Sequence, residues 1–244
     1  IAADAAKEAI DAAEAAGLRL YKFNKASTGF NLTDTTVTKL SIRNAITDPE
    51  SFEVIWPNTQ SLTDGADGLQ ASAMAPLEVG HNTRVARKVI SPTITMAKLF
   101  YTDNGVPITE DKAYDFNDIL ELREAQPDER YNIEEGYRTS RLNFDREPRF
   151  YVGITYNRSL WLNTTSVGNI ITETWYNGNS GKAAGGNDYP PTGYIARKKM
   201  ITGPRTNNNR TLPMMRLAEI YLDYAEALNE ADPGNPDILI YLNK

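Results

Sequence analysis

Aromatic and amide side chains are concentrated in one polar stretch, residues 157–193, which is rich in Asn, Gly, Ser and Thr. An aromatic ring can stack on the apolar CH face of a pyranose, while amides hydrogen-bond its hydroxyls. The stretch therefore predicts carbohydrate contacts by Trp161, Trp175, Tyr176, Asn177, Asn179 and Tyr189. Packing beneath the loop is the alternative for Trp161, and for Trp175 and Tyr176 the two roles are equally open.

A second chemistry is suggested by Asp145 and Glu147, since glycoside hydrolysis uses two carboxyl groups at a set separation. Arg146 and Arg149 alternate with them, and Pro148 restricts the turn. Carboxylates in such an arginine-rich segment favour ion pairs over catalysis. We also expect the arginines to pair with carboxylates or with the carbonyls of a helix C-terminus.

Composition argues against metal, cofactor and nucleic-acid sites. The chain has no cysteine and a single histidine, His81, which excludes cysteine-ligated and multi-histidine metal sites. Asp64–Gly68 resembles a calcium loop, but Ala75 occupies the position of the bidentate Glu. A net charge of −6 disfavours nonspecific binding to phosphates. We therefore predict no metal, no cofactor and no nucleic-acid partner.

Amphipathic helices are predicted at both ends of the chain. Residues 2–16 are dominated by alanine, and Gly17 ends that helix. From Leu212 to Glu230, apolar residues recur with helical spacing, and Pro213 is tolerated near the start. Asp232-Pro233-Gly234 ends this helix and a second one follows, which predicts a helical hairpin. Tyr221 and Tyr224 would face a neighbouring helix, with Glu219 and Glu226 satisfied by local partners.

The middle of the chain predicts shorter elements. We expect a loop over 21–38, helices over 37–46 and 92–101, and strands over 51–56 and 152–156. Anchors of the acidic segment 111–140 are predicted to be Tyr114, Phe116, Ile119 and Leu122. For Trp56, packing in the core is favoured over ligand contact.

The segment 216–230, Arg-Leu-Ala-Glu-Ile-Tyr-Leu-Asp-Tyr-Ala-Glu-Ala-Leu-Asn-Glu, closely resembles the C-terminal signature of the SusD/RagB family. These are surface glycan-binding lipoproteins of Bacteroidetes-type bacteria. Further landmarks near 10–20, 92–108, 144–151 and 192–198 occur in the family's order, although Asp145 and Glu147 replace the family's Asn and Asp. The residues that carry this structural signature are Arg146, Pro148, Arg149, Arg216, Glu219, Tyr221, Tyr224 and Glu226.

The resemblance implies a mainly α fold of tetratricopeptide-like helical hairpins, an α/α superhelix with long loops and a few short strands. It implies one region over 1–244, with scaffold pieces at 1–17, 92–103 and 212–244. The loop-rich ligand side would lie at about 144–210.

The resemblance also implies non-catalytic binding of oligosaccharide or polysaccharide at the surface of the outer membrane, with delivery to a SusC-like TonB-dependent transporter. A tetratricopeptide-type protein-interaction scaffold without sugar binding is the alternative. Because the sequence lacks an initiator Met and stops within a predicted helix, we expect a piece of a longer protein whose N-terminal lipid anchor lies outside it.

Overall fold

The computed structural model describes residues 1–25, 32–59, 68–75, 86–161, 170–200 and 212–244. They form two compact units. We call residues 1–22, 44–59 and 212–244 the terminal unit, and the described residues of 23–43 and 68–200 the central unit. His81 and the calcium-like segment Asp64–Gly68, apart from Gly68 itself, lie outside the described residues.

Three of the described helices have 14 or 15 residues and the others have six or fewer, and the strands are paired two by two. The helices are α1 Ala2–Ala15, α2 Asp34–Thr47, α3 Leu69–Ala73, α4 Ile94–Lys98, α5 Pro148–Gly153, α6 Lys182–Gly185, α7 Leu217–Ala231 and α8 Asp237–Leu242. The strands are β1 Val54–Asn58, β2 Leu122–Glu124, β3 Arg138–Ser140, β4 Ile154–Thr155, β5 Leu160–Trp161, β6 Ile170–Ile171, β7 Ile195–Ala196 and β8 Leu212–Arg216. Among the described helices, none has the length and apolar character to cross a bilayer.

The terminal unit is built around α7, whose apolar stripe packs against α1 and α8. The predicted hairpin is confirmed: Gly234, at φ +119°, turns the chain between α7 and α8. Pro236, rather than the expected Asn235, occupies the N-cap position of α8, and Asn235 Oδ1 accepts a hydrogen bond from the Asp237 N–H at 3.0 Å. The core of this unit consists of Ile10, Ala13, Leu217, Ile220, Tyr221, Tyr224 and Leu228.

Two tyrosines join α7 to its neighbours. The hydroxyl of Tyr221 donates to Glu14 on α1 at 2.5 Å, and that of Tyr224 donates to Asp237 on α8 at 3.2 Å. Both rings also meet the edge of Tyr241, with centroids 5.3 and 4.9 Å away. These contacts use the ring and the hydroxyl together, so each tyrosine fills apolar space without leaving a buried polar atom unpaired.

Two expectations about this segment are wrong. Leu212–Arg216 is not the start of a helix but strand β8, which pairs antiparallel with β1. The pairing spans a long sequence separation, so a local pattern cannot reveal it. Glu219 and Glu226 are exposed and, within the described residues, form no hydrogen bond or ion pair, because they lie on the solvent side of α7.

Arg216 lies where β8 meets α7 and tethers both to the end of β1. Its Nη1 is 2.6 Å from Oε1 of Glu53, a buried carboxylate. The carbonyl of Glu53 accepts from the Leu217 N–H at 2.8 Å, so Glu53 satisfies one of the free N–H groups at the start of α7. Trp56, on the adjoining strand, is 65% exposed, which overturns its predicted core position. Its partner in the β pairing is Met215 rather than a core residue.

The central unit has an aromatic core in which Phe150 is the hub. Its ring stacks on Tyr156 at 5.5 Å and meets the edges of Phe100 and Tyr151. Ile119 is buried there as predicted, and Tyr114 and Phe116 pack against the same core. Leu122 is exposed instead, because it belongs to the short pairing of β2 with β3.

Arg146 is buried against this core, with its guanidinium 4.5 Å from the ring of Phe150. It donates to the carbonyls of Ala97, Phe100 and Leu142 at 2.9, 2.6 and 2.7 Å, and to that of Tyr101 at 3.3 Å. Three of these carbonyls belong to the last turn of α4 and the chain that leaves it. The expected pairing of this arginine with the C-terminal carbonyls of a helix is therefore confirmed.

Element boundaries differ from expectation at several places in this unit. Helix α4 covers only Ile94–Lys98 of the predicted 92–101, and the predicted strand 152–156 is reduced to β4 because α5 extends to Gly153. The predicted helix 37–46 is confirmed, but it begins earlier, at Asp34. Thr33 Oγ1 accepts from the Thr36 N–H at 3.3 Å, a capping contact that marks this start.

We predict that Arg146→Met lowers the free energy of unfolding by about 3 kcal/mol, because buried carbonyls lose their donors. Urea denaturation followed by circular dichroism measures the change. Arg149→Met is the matched control: its side chain is exposed and pairs with Glu147, so a loss of at most about 0.5 kcal/mol is expected. Equal effects of the two substitutions would contradict the central role of Arg146.

A buried lysine predicts a pH dependence. Lys39 on α2 donates to the carbonyl of Tyr131 at 2.6 Å and to Oδ1 of Asn132 at 2.7 Å. Burial, and then the nearby charge of Arg197, lower the pKa of Lys39 from 10.5 to about 7. Between these pKa values the unfolded chain holds a proton that the folded chain lacks, so this contribution to stability rises with pH above about 7 and is constant below it.

We therefore expect Lys39→Met to reduce the slope of unfolding free energy against pH, between pH 7 and 9.5, by up to about 1.4 kcal/mol per pH unit. Urea midpoints at several pH values measure this slope. The exposed Lys112 provides the control Lys112→Met, which should change this slope much less. An unchanged slope in Lys39→Met would show that Lys39 keeps its ordinary pKa.

Candidate functional site

Residues 173–183 form a tight double turn, here called the aromatic turn, which follows β6 and includes the first two residues of α6. Its backbone is closed by hydrogen bonds of 2.9 Å from Gly178 N to Trp175 O, Gly181 N to Gly178 O and Ala183 N to Tyr176 O. Ser180 N also donates to Glu173 O at 2.9 Å, which joins the two ends of the turn. The conformation is therefore determined by the turn's own backbone.

Two glycines allow this close packing of the chain. A Cβ atom at Gly181 would lie 1.8 Å from the carbonyl oxygen of Trp175, and one at Gly178 would lie 2.4 Å from that of Glu173. Real Cβ atoms do not approach a backbone oxygen so closely, so any side chain at either position would open the turn.

Asparagine side chains attach the aromatic turn to strand β6 and to the loop that precedes β5. Asn179 Oδ1 accepts from the Glu173 N–H at 2.9 Å, and its Nδ2 donates to the carbonyl of Ile171 at 2.8 Å. Asn157 Oδ1 accepts from the Thr174 N–H, also at 2.9 Å. Both ends of the Asn179 amide thus serve the backbone, although the sequence pattern assigned this amide to ligand contact.

The turn presents three consecutive exposed side chains. Trp175 is 47% exposed and Tyr176 is 66% exposed. Asn177 is exposed as well, and within the described residues its amide makes no hydrogen bond. Two aromatic rings and a free amide therefore project from one rigid segment, a combination suited to a ligand with apolar faces and hydroxyl groups.

The other predicted contact residues are placed differently. Tyr189 is half-buried, with the ammonium of Lys182 at 5.5 Å from the centre of its ring. Trp161 contributes its backbone to β5, while its side chain lies outside the described part of the structure. Tyr194, another aromatic near the loop, is buried and donates to Oδ1 of Asn143 at 3.0 Å, so it belongs to the core.

A charged cluster supports the start of the aromatic turn. Arg158 Nη1 lies 2.6 Å from Glu173 and 3.4 Å from Glu134, and its guanidinium stacks 4.0 Å from the ring of Tyr137. Burial raises the pKa of Glu134, and the charge of Arg158 opposes that shift. Since Glu173 is the first residue of the turn, Arg158 helps to hold it in position.

The carboxylates of residues 144–151 are engaged in ion pairs. Asp145 Oδ2 lies 3.3 Å from Arg123, and Glu147 Oε2 lies 2.5 Å from Arg149. Glu147 Oε1 also accepts from the Tyr101 N–H at 2.8 Å. This is the salt-bridge network that the sequence favoured. Among the described residues, no cluster of three or more His, Asp or Glu side chains could hold a metal ion.

The comparison with known proteins names the family. The sequence matches the model of the SusD family over residues 52–244. The chain belongs to the SusD family. No curated protein matches the sequence.

Solved structures share the SusD-like fold. The protein BT4246 is similar over 99% of this chain, with a TM-score of 0.73 and 19% identity, and this chain covers 43% of it. A SusD-like protein from Bacteroides fragilis NCTC 9343, BF3747, is similar over 88% of this chain, with a TM-score of 0.58 and 20% identity, and 39% of it is covered. The chain thus spans less than half the length of either structure.

We predict that Gly181→Ala opens the aromatic turn without unfolding the SusD-like core. Amide hydrogens of residues 172–184 should exchange at least about tenfold faster, because their local hydrogen bonds are lost, while those of α7 keep their rates. Hydrogen-exchange mass spectrometry measures both segments. Gly153→Ala is the control, since a Cβ there meets Phe100 at an ordinary 3.5 Å; equal protection in both variants would refute the requirement for Gly181.

Proposed function

We propose that this chain is part of a surface protein that binds oligosaccharide or polysaccharide without cleaving it. The observation that carries the proposal is the aromatic turn, on which Trp175, Tyr176 and Asn177 are exposed together. Stacking of pyranose faces on the rings and hydrogen bonds from the amide would hold the glycan. Membership of the SusD family supports the same ligand class.

The turn is suited to binding because it is already ordered. Binding costs free energy when loops and side chains must become ordered. A turn closed by its own backbone is already ordered on folding, so less free energy is lost on binding. Asn179 acts in this proposal as a positioning residue that holds the turn on Ile171. Tyr189 and Trp161 remain proposed contacts.

Binding without catalysis fits the state of the carboxylates. Asp145 and Glu147 each pair with an arginine, which leaves neither as an isolated acid in an apolar setting of the kind that glycosidases use. The proposed protein has no cofactor. It would pass its ligand to a SusC-like TonB-dependent transporter, from a position on the outer membrane secured by an N-terminal lipid outside this chain.

The helical pieces would serve as the scaffold in this proposal. Packing of α1 on α7, and of α7 on α8, is consistent with a tetratricopeptide-like superhelix. A protein-interaction scaffold without sugar binding is the second candidate. It is favoured by the exposed apolar side chains Leu222, Leu239, Ile240 and Leu242 on α7 and α8.

We expect Trp175→Ala and Tyr176→Ala each to weaken glycan binding by about tenfold, the equivalent of about 1.4 kcal/mol for a lost stacking contact. Isothermal titration calorimetry of the full-length protein, against a ligand chosen from a glycan array, measures the affinity. Trp56→Ala is a matched control, because Trp56 is also an exposed tryptophan and belongs to the terminal unit.

Three results would count against the proposal: unchanged affinity in both turn variants, no glycan bound on the array, or release of reducing sugar from the bound glycan. Co-purification of a transporter by a protein without sugar affinity would favour the scaffold.

A further inference from the structure

A shallow cleft of about 220 Å³ lies in the central unit. None of the residues that line it belongs to the aromatic turn. Its polar lining comes from Asp115, Arg123, Arg141 and Asp145, beside Tyr114. The volume is below the roughly 300–1,000 Å³ that is typical for drug-sized ligands, so the cleft has room for one small ring rather than for an extended chain.

The two arginines of the cleft are each paired with two carboxylates. Arg141 Nη1 lies 3.1 Å from Asp115 and 3.9 Å from Asp118, and Arg123 lies 2.7 Å from Glu129 and 3.3 Å from Asp145. An anion entering the cleft would meet this excess of negative charge. The electrostatics therefore favour a neutral ligand over an anionic one.

These ion pairs leave much hydrogen-bonding capacity unused. A guanidinium has five N–H donors and a carboxylate accepts about four hydrogen bonds. Within the described residues, the side-chain hydrogen bonds and ion pairs of Arg141 all go through Nη1. The four side chains are between a third and three fifths exposed, so donors and acceptors face solvent side by side. Vicinal hydroxyls, each of which can donate and accept, match this arrangement.

Contacts with neighbouring residues also hold the lining side chains in position. The guanidinium of Arg123 stacks 4.3 Å from the ring of Phe144 and lies 2.7 Å from Glu129. The Tyr114 hydroxyl donates to the carbonyl of Arg141 at 3.3 Å. Asp145 has φ +53°, a conformation that is uncommon outside glycine but tolerated by Asp and Asn.

We propose that this cleft binds one neutral, polyhydroxylated ring of the hexopyranose type, at a second site made of different residues from the aromatic turn. The inference rests on the proposed function only for the class of ligand. Planar carboxylates and guanidinium groups would share the vicinal hydroxyls, with Tyr114 alongside.

The test is a titration of the ¹⁵N-labelled full-length protein with neutral methyl glycosides of glucose, mannose and galactose, followed through the Arg Nε–H resonances. Glucuronate is the anionic comparison. At least one neutral glycoside should shift the Arg123 and Arg141 signals at millimolar concentration, and glucuronate should bind more weakly. Absence of a shift with all three glycosides, or tighter binding of glucuronate, would overturn the inference.

Variants separate this site from the aromatic turn. The double substitution Asp115→Asn and Asp145→Asn should weaken binding about tenfold, because charged acceptors become neutral. Asn retains the shape and tolerates the backbone of position 145, so the fold should persist, as circular dichroism can verify. Glu121→Gln, at an exposed neighbour outside the cleft, should have no effect. Unchanged affinity in the double variant would refute the site.

Trp175→Ala distinguishes the two proposals. It should leave the arginine shifts intact while it weakens polysaccharide binding. Loss of the arginine shifts in this variant would argue against an independent cleft site. If no glycoside shifts the arginine signals but polysaccharide affinity depends on Trp175, only the cleft proposal is refuted. If glycosides shift the arginine signals but Trp175→Ala leaves polysaccharide affinity unchanged, only the aromatic-turn proposal is refuted.

Discussion

The guanidinium of Arg146 compensates for a helix that is too short to satisfy its own backbone. The last carbonyls of any α-helix lack partners within it, and α4 has only five residues. Arg146 donates to the carbonyls of Ala97, Phe100 and Tyr101, and to that of Leu142, four residues before it in the chain. Because it also lies against the ring of Phe150, one side chain joins the polar and apolar parts of the core in the central unit.

In the aromatic turn, too, backbone groups that would otherwise lack partners are satisfied by hydrogen bonds, and here the result is an ordered base for exposed side chains. Its backbone groups pair with each other or with the amides of Asn157 and Asn179, so the exposed side chains of residues 175–177 rest on an ordered base. The turn can close in this way only because positions 178 and 181 are glycines, which have no Cβ to clash with the backbone. The proposed ligand would therefore meet side chains that need little further ordering. This favours a binding role, since binding is strengthened when the site is organised in advance.

Local patterns in the sequence predicted the long helices well. The stripe from Leu217 to Leu228, the turn at Gly234 and the alanine-rich first helix are all recovered, because amphipathic spacing and helix-ending residues act over a few positions. The family signature added the identity that spacing alone could not supply. The aromatic and amide content of residues 157–193 also pointed to the segment that carries Trp175 and Tyr176.

The sequence by itself determined the three longest helices, α1, α2 and α7, and which residue types could meet a sugar, since both follow from local spacing and side-chain chemistry. Tertiary structure decided which side chains are available. Pairing of Leu212–Arg216 with β1 depends on a partner more than 150 residues away, and it leaves Trp56 exposed. The amide of Asn179 is taken by backbone groups that only folding brings within hydrogen-bonding distance, whereas Asn177, two residues earlier, stays free. Two asparagines thus have different roles, because an amide that satisfies backbone groups in the folded chain is no longer available to a ligand.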